Sequence, residues 1–267
     1  MSDIYKEMVW SHSRLSTFKN CPYEFYLHYI LGDDDLYPSE DNYYAQVGSL
    51  AHNTLEKIFK KELSIDAACE YFAEKYESEI TAEVQPKIMD STYDKIITFF
   101  TESDFDWIDD YEILGVEKEV HFTINDYKFV GFIDLLLRDK RDGRLVIVDH
   151  KSMSNPFGKK GQIKKSAASK FAIYRSQSYL YAYAIYLEYG EYPKELVWYL
   201  FKENGKLVSI KFDKDEYEEV ISNIPFTINL IEKEIDFEAK TDYFYCHNLC
   251  NYRNSCEYKS DKDEEGW

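Results

Sequence analysis

Two carboxylates and a lysine mark the stretch of the sequence whose residue types could do chemistry. The run 144–151 reads as a short buried strand that ends with Asp149 and Lys151 two residues apart. Because side chains alternate along a strand, these two lie on the same face. The preceding apolar run, 129–137, carries a second acid, Asp134. Two neighbouring strands that each deliver an acid, beside one lysine, predict a metal site with an adjacent base. The alternative is two surface acids beside an unrelated lysine.

A helical histidine could complete this site. Gly48, His52 and Glu56 recur every four residues, so they share one helix face and make His52 a candidate third ligand. Two carboxylates without a full set of soft ligands suit a hard cation such as Mg²⁺ or Mn²⁺. Such an ion lowers the pKa of its water, and Lys151 beside it could orient that water or stabilise developing negative charge. The alternative for His52 is a polar residue hydrogen-bonded at the edge of a core.

The segment that follows the strand offers supporting groups. Gln177 and Tyr181 share one helix face and could position Lys151, a water or a phosphate. Between residues 152 and 187 the chain has no Asp or Glu. That segment carries the basic residues Lys159, Lys160, Lys164, Lys165, Lys170 and Arg175. It is a candidate for contact with phosphate, and the alternative is a flexible, solvated loop.

Composition limits the class of protein. With 267 residues, 45% of them hydrophobic, the chain is globular and could form one large domain or two small ones. The net charge of −18 argues against a protein that coats nucleic acid through its whole surface. No apolar run is long enough to cross a bilayer, and the first seven residues do not resemble a signal peptide. We therefore expect a cytoplasmic protein whose five cysteines are thiols or metal ligands.

Cysteine spacing predicts a second metal centre. The pattern Cys246-x3-Cys250-x5-Cys256 places three thiols within eleven residues, while Cys21 lies near the other end of the chain. Clustered thiols in a reducing compartment indicate a metal ion or an iron–sulfur cluster. A remote fourth ligand would then staple the two ends together. The alternative is three unconnected thiols. Cys69, on the apolar side of a helix, is expected to be a buried structural residue.

Apolar periodicity predicts a helical first part and a mixed second part. Residues at helical spacing predict three helices, over 43–61, 65–80 and 86–108. Gly48 in the first of these would permit close approach by another backbone. Turn signals at Asn125-Asp126 and Asp142-Gly143 separate three β-type runs, which predicts a meander. A helix over 172–189, a hairpin around Asn204-Gly205 and a helix over 212–234 follow.

The absence of repeats and long linkers in the sequence predicts one α/β domain over residues 1–267. Its expected parts are a helical region (11–110), a β-rich core (111–235), a cysteine segment paired with Cys21 (236–258) and an acidic, disordered tail (259–267).

Six motifs in order resemble those of RecB-like nucleases in the PD-(D/E)XK superfamily. The opening, Ser11 to Phe25 with Cys21-Pro22, resembles the members that carry an iron–sulfur cluster. The other motifs are Gly48-x3-His52-x2-Leu55-Glu56, Gly131-Phe132-Ile133-Asp134, Asp149-His150-Lys151 as a (D/E)xK signature, Gln177-x3-Tyr181 as QxxxY, and the C-terminal cysteines. The motif set resembles that of CRISPR-associated iron–sulfur exonucleases, the AddB nuclease domain and phage homologues.

The resemblance implies a fold and a set of roles. The fold would be a mixed central sheet flanked by helices, and the chemistry would be hydrolysis of DNA phosphodiester bonds. The implied metal ligands are His52, Asp134, Asp149 and, as a candidate fourth, the backbone carbonyl of His150. Lys151 would be the catalytic lysine, while Gln177 and Tyr181 would support the site or contact DNA. Cys21, Cys246, Cys250 and Cys256 would hold a [4Fe–4S] cluster. Relatives usually have two residues between the first two C-terminal cysteines rather than three, and zinc fits the spacing here equally well.

The function implied is a Mg²⁺- or Mn²⁺-dependent exonuclease acting on single-stranded DNA ends in recombination, repair or CRISPR spacer acquisition. A helicase, recombinase or integrase would be its protein partner, in a bacterial, archaeal or phage-infected cell. The alternative is a DNA-end-binding scaffold subunit that does little or no cleavage, since an acidic surface favours a protein partner over broad DNA coating. An intact set of His52, Asp134, Asp149 and Lys151 argues against that alternative.

Overall fold

A five-stranded mixed sheet lies at the centre of the chain, in a computed structural model that describes residues 2–259. The strands are β1 (Tyr111–Ile124), β2 (Tyr127–Asp139), β3 (Leu145–Lys151), β4 (Glu195–Leu200) and β5 (Lys206–Lys211). The helices of the described part are α1 (Ser2–Glu7), α2 (His12–Asn20), α3 (Pro22–Phe25), α4 (Tyr43–Phe59), α5 (Ile65–Glu79), α6 (Pro86–Glu102), α7 (Ala168–Tyr189), α8 (Lys214–Lys233) and α9 (Tyr243–Asn248). A π-helical turn extends α3, and short 3₁₀ turns follow α6, precede α7 and follow β4.

Strand order in the sheet follows the chain, β1 to β5. The predicted meander of β1, β2 and β3 is confirmed, with Asn125 at positive φ in its first turn. Helix α7 then carries the chain across one face, so that β4 returns parallel to β3. A parallel neighbour requires such a crossover, whereas the antiparallel pairs need only tight turns.

Two apolar cores lie on opposite faces of the sheet. Alternation along β3 sends Leu145 and Ile147 into the core under α7 and α8, and Val146 and Val148 into the core under α4, α5 and α6. A strand that is buried on both faces reads as a continuous apolar run, which is what residues 145–148 show.

Strand β2 is much longer than its pairing with β3. Only Leu135–Arg138 pair with β3, and nearer the turn Trp10 bridges to Phe129 on the same edge. The β2 edge between these two contacts is left without a strand neighbour in the described structure. Asp134 lies in this gap, immediately beside the end of β3.

Other boundaries differ modestly from the predicted ones. The helix predicted over 86–108 ends at Glu102, because the chain turns into a 3₁₀ helix, Asp106–Asp110, that leads into β1. Among the described residues no helix is both long and apolar enough to span a membrane. Apart from its first residue, the acidic tail predicted over 259–267 lies outside the described residues.

Candidate functional site

The end of β3 holds a buried ion pair. Lys151 Nζ lies 2.8 Å from Asp149 Oδ1, and the Asp149 carboxylate is 2% exposed. Burial raises the pKa of Asp149, and the nearby Asp134 adds to this against the opposing effect of Lys151. Burial lowers the pKa of Lys151, but Asp149 and Asp134 outweigh it, so that the pKa is raised overall. The carboxylate neighbours therefore favour the ammonium form of Lys151.

Asp134, His52 and His150 form a compact set of donors. In the described part of the chain their donor atoms all lie within 4.8 Å of one another. Asp134 Oδ2 is 3.6 Å from His52 Nδ1 and 3.8 Å from His150 Nδ1. Asp149 lies outside this set, although its carboxylate is in the same buried region. The site thus joins a carboxylate and two imidazoles to a neighbouring carboxylate–ammonium pair.

The His150 side chain is a member that the sequence interpretation did not include, since only its backbone carbonyl was expected to contribute. Its ring is 1% exposed and stacks on Phe59 at a centroid distance of 5.7 Å. Its backbone N–H donates to Asp134 Oδ2 at 2.5 Å. Burial lowers the pKa of His150 to about 3, and burial also lowers the pKa of His52. Both imidazoles are therefore neutral at pH 7, as a metal ligand must be.

Several nitrogen and oxygen atoms of this site, each a potential metal ligand, lack a hydrogen-bond partner. Asp149 Oδ2 and both ring nitrogens of His150 are buried and make no hydrogen bond within the described structure. A buried polar atom left unpaired costs about 1–3 kcal/mol. Mixed imidazole and carboxylate donors suit a divalent first-row metal, and the carboxylates suit Mg²⁺ as well. These residues therefore fit the divalent cation that the resemblance implies.

Gln177 and Tyr181 lie on α7 and connect it to β2. Gln177 Nε2 donates to the Tyr181 hydroxyl at 2.9 Å, and Tyr181 is 6% exposed. A Cβ built on Gly131 would lie 2.7 Å from Tyr181 Cε1, so the missing side chain of Gly131 is what admits the ring. Burial raises the pKa of Tyr181, followed by the charge of Asp149, which keeps the phenol protonated. The Gly131-to-Asp134 motif of β2 and the Gln177-x3-Tyr181 motif of α7 therefore meet where the Tyr181 ring packs on Gly131.

Glu117 on β1 is a site residue that the sequence interpretation missed. The pairs Val116–Leu135 and Lys118–Ile133 place it opposite Asp134, and its φ of 47° is unusual for a non-glycine residue. Burial, followed by Asp134 and Glu56, raises its pKa to about 7. The sequence did contain the information needed to find Glu117. The two-residue turn at Asn125-Asp126 fixes the register of β1 against β2, and this register places Glu117 opposite Asp134.

An open groove leads to these groups. It has a volume of about 620 Å³ and is lined by residues of α2, α4, β1 and β3, among them Ser13, Gly48, His52, Glu117 and Lys151. The expectation that Gly48 allows close approach by another backbone is wrong, since no atom lies within 4 Å of a Cβ built there. Gly48 instead leaves the wall of the groove open.

The acid-free segment presents its charges to solvent. Its five lysines, Lys159, Lys160, Lys164, Lys165 and Lys170, are exposed, whereas Arg175 forms an ion pair with Glu216 at 2.9 Å. Lys170 joins the site through Tyr174, whose ring lies 5.8 Å from Lys170 Nζ and 5.0 Å from Lys151 Nζ.

Two further lysines extend this positive region. Lys202 follows β4, whose Leu200 pairs with Lys151, and it is half-buried. Burial lowers the pKa of Lys202, and the charges of Lys170 and then Lys95 lower it further. No carboxylate of the described residues lies within 4.0 Å of any of them. Sequence position gave no hint of this, since the three lysines lie on separate elements.

The four predicted cysteines line a single cavity. Cys21, Cys246, Cys250 and Cys256 surround it, and the backbone of Lys240 hydrogen-bonds both Cys21 Sγ and Cys246 Sγ at 3.4 Å. The buried carboxylate of Glu24 also lines it and accepts a hydrogen bond from the Asn251 N–H. Burial raises the pKa of Cys246 to about 11 and raises those of Cys250 and Cys256 as well. Cys69, expected to be buried, is half-buried in α5.

The sulfur atoms are spread around the cavity. In the described residues no three of them lie within 4.8 Å of one another. Tetrahedral zinc with Zn–S distances of about 2.3 Å brings its sulfurs to about 3.8 Å. The described thiols therefore surround a cavity rather than a single point.

Comparison with known proteins agrees with this geometry. The sequence profile of the PD-(D/E)XK nuclease superfamily matches residues 9–257. A crystal structure of a putative exonuclease from Eubacterium rectale is similar over 99% of this chain and 92% of that one, with a TM-score of 0.53 and 14% sequence identity. This similarity concerns the fold. No curated protein matches the chain.

The two motif glycines should respond oppositely to substitution. Gly131→Ala places a methyl group against the buried Tyr181 ring, so we expect a loss of about 1–3 kcal/mol in unfolding free energy. Gly48→Ala meets no atom and removes a helix glycine, so we expect a gain of about 1 kcal/mol. Urea unfolding of the two variants measures both values. Equal effects would contradict the packing described for Tyr181.

Proposed function

Because the chain belongs to the PD-(D/E)XK nuclease superfamily, we propose that it is a Mg²⁺- or Mn²⁺-dependent DNA exonuclease that acts on single-stranded ends. The observation that carries this proposal is the set of His52, Asp134 and His150 donors beside the Asp149–Lys151 pair. This constellation is reached through an open groove. It supplies ligands for a cation, a fixed positive charge and access for a polymer.

Each residue has a role in this proposal. His52, Asp134 and Asp149 hold the divalent cation, with His150 adjacent as a further ligand. The bound cation supplies a more acidic water and offsets the charge of the phosphate. Lys151, kept as an ammonium by its carboxylate neighbours, stabilises negative charge that develops on the phosphate oxygens. Tyr181 and Gln177 fix β2 against α7 and so hold Asp134 beside Asp149.

The recessed position of the site supports a single-stranded substrate. Asp149 and Asp134 are 2% and 8% exposed, so a phosphate must enter the groove to reach them. A single strand, whose phosphates are accessible from more sides than those of a duplex, enters more easily. The lysines from Lys159 to Lys170, together with Lys202 and Lys95, provide a positive path for its backbone in a chain whose net charge is −18.

The cysteine site and the cellular setting extend the proposal. Cys21, Cys246, Cys250 and Cys256 hold a [4Fe–4S] cluster that ties the first and last parts of a single nuclease domain together. The five free cysteines support a reducing, cytoplasmic setting in a bacterial, archaeal or phage-infected cell. The reaction would serve recombination, repair or CRISPR spacer acquisition, with a helicase, recombinase or integrase as partner.

Lys151 tests the nuclease proposal most directly. Wild-type protein with Mn²⁺ or Mg²⁺ should degrade end-labelled single-stranded DNA, and Lys151→Met should reduce the rate at least about 100-fold, because one charge on the developing phosphate anion is lost. Lys211→Ala, which removes an exposed lysine on β5 outside the proposed DNA path, is the matched control and should leave the rate of bond cleavage nearly unchanged. Circular dichroism checks the fold. DNA binding without cleavage by the wild type would instead favour the scaffold function.

Lys202 tests the proposed path of the strand. Each phosphate contact to a single strand contributes about 0.7 to the slope of log affinity against log salt concentration. We therefore expect Lys202→Ala to reduce that slope by about this amount, and Lys211→Ala, an exposed lysine on β5, to leave it unchanged. Fluorescence anisotropy of a labelled oligonucleotide in EDTA measures the slope. An unchanged slope for Lys202→Ala would remove Lys202 from the path.

Protein purified without oxygen tests the cysteine site. We expect brown protein with broad absorbance near about 400 nm, since thiolate-ligated iron–sulfur centres absorb there. Cys256→Ser should lose the colour and Cys69→Ser, outside the cavity, should keep it. Colourless protein with one equivalent of zinc would refute the cluster.

A further inference from the structure

We propose that Phe132 stacks on the base of the nucleotide next to the scissile phosphate and so makes the site select unpaired DNA. This inference rests on the proposed nuclease function and deepens it. Phe132 is the one residue of the Gly131-Phe132-Ile133-Asp134 motif to which neither the metal site nor the core gives a role.

The exposure of Phe132 is unusual for this chain. Its side chain is 49% exposed, while the aromatic neighbour Phe129 on the same strand is 1% exposed. Of the described phenylalanines only Phe226 and Phe244 are also strongly exposed, and both lie on helices distant in sequence. Exposure is shared by these three residues, so it is the position of Phe132 beside Asp134 in the motif that points to a ligand.

Strand alternation places Phe132 on the side of the sheet that holds His52 and the His150 ring. Phe129 and Ile133 face the core under α7, and Gly131 receives Tyr181 there. Phe132 therefore points to the opposite face, the one that α4 and His52 approach. Asp134, which contacts His52, is two residues farther along β2, or about 6.6 Å away at the rise of a strand. That separation matches roughly one nucleotide of an extended strand.

The surroundings leave the ring free to stack. The cross-strand neighbour of Phe132 is Glu119, which is exposed and pairs with His121 at 2.9 Å. No other aromatic ring among the described residues lies against Phe132. Acidic groups at Glu119 and Glu117 repel phosphate, so what approaches this face is the base rather than the backbone. Lys170, which shares the Tyr174 ring with Lys151, and Lys202, which follows the strand paired with Lys151, provide backbone contacts from the other elements around the site.

Stacking on Phe132 excludes a paired base. Within a duplex both faces of a base are covered by its neighbours, whereas a single-stranded base presents a free face. Every base has a π-face, so such a contact discriminates between strand states and not between sequences.

The test compares two exposed phenylalanines. Phe132→Ala should reduce kcat/KM on a single-stranded oligonucleotide roughly tenfold to a hundredfold, the range for loss of one base-stacking side chain. Phe226→Ala, the same change on α8, should leave it unchanged. Phe132→Trp should retain activity and Phe132→Leu should not, because the aromatic face rather than apolar bulk is required. On blunt duplex DNA the Phe132→Ala change should have less than a threefold effect.

An abasic nucleotide isolates the contact itself. Wild-type enzyme digesting an end-labelled strand should pause when a single abasic nucleotide reaches the site. Phe132→Ala should show no additional pause there, because the ring and the base are the two partners of one interaction and either loss removes it. Equal pausing by both proteins, or equal losses on single-stranded and duplex DNA, would overturn the proposal.

A binding measurement separates this inference from the nuclease function. In EDTA, a terminal 2-aminopurine in single-stranded DNA should change its fluorescence on binding wild type and Phe226→Ala, but not on binding Phe132→Ala. If the wild type cleaves no DNA, the nuclease proposal fails while this signal still supports stacking. If the wild type cleaves and the signal is the same for all three proteins, stacking fails. If Phe132→Ala lost binding to a protein partner but kept the wild-type 2-aminopurine signal, the stacking proposal would be overturned and Phe132 would be a protein-docking residue.

Discussion

The burial of two carboxylates side by side is the constraint on which this structure depends. Asp134 and Asp149 are both nearly inaccessible, and two like charges in such a place are tolerated only when cations or hydrogen bonds offset them. Lys151 offsets one of them, and the His150 N–H and the two imidazoles surround the other. The divergence of β2 from β3 is what creates the space, because an edge paired throughout would have no room for a ligand.

Local pattern predicted the parts of this arrangement that depend on a single strand or turn. The alternation that puts Asp149 and Lys151 on one face and the hairpin turn at Asn125-Asp126 both follow from short-range geometry. The ring of His150 could not be assigned in this way, since its role depends on Phe59, which lies on a helix far earlier in the chain. The ion pair of Arg175 could not be predicted for the same reason, because Glu216 is supplied by another helix.

The register of a hairpin carries information that apolar periodicity does not. Once Ile124 pairs with Tyr127, the cross-strand neighbours are fixed as far as Gly115, where the register shifts, and Glu117 must face Asp134. The positive φ of Glu117 breaks the regular strand at that position. Acid against acid, together with irregular backbone, is unfavourable in a purely structural hairpin. A cation bound near Asp134 would explain why Glu117 lies opposite it, because the positive charge would offset both acids.

Side chains alternate between the two faces of strand β2, and this alternation links the Tyr181 contact on one face to Asp134 and Phe132 on the other. Its inward Gly131 admits the Tyr181 ring and thereby fixes the strand against α7. The same fixed orientation turns Asp134 toward His52 and Phe132 toward the side from which α4 approaches. A change in the contact between Gly131 and Tyr181 should therefore shift Phe132 and Asp134 together, because neighbouring residues of one strand move as a unit. The spacing between Asp134 and Phe132 is set by the rise of the strand, which is about 6.6 Å over two residues.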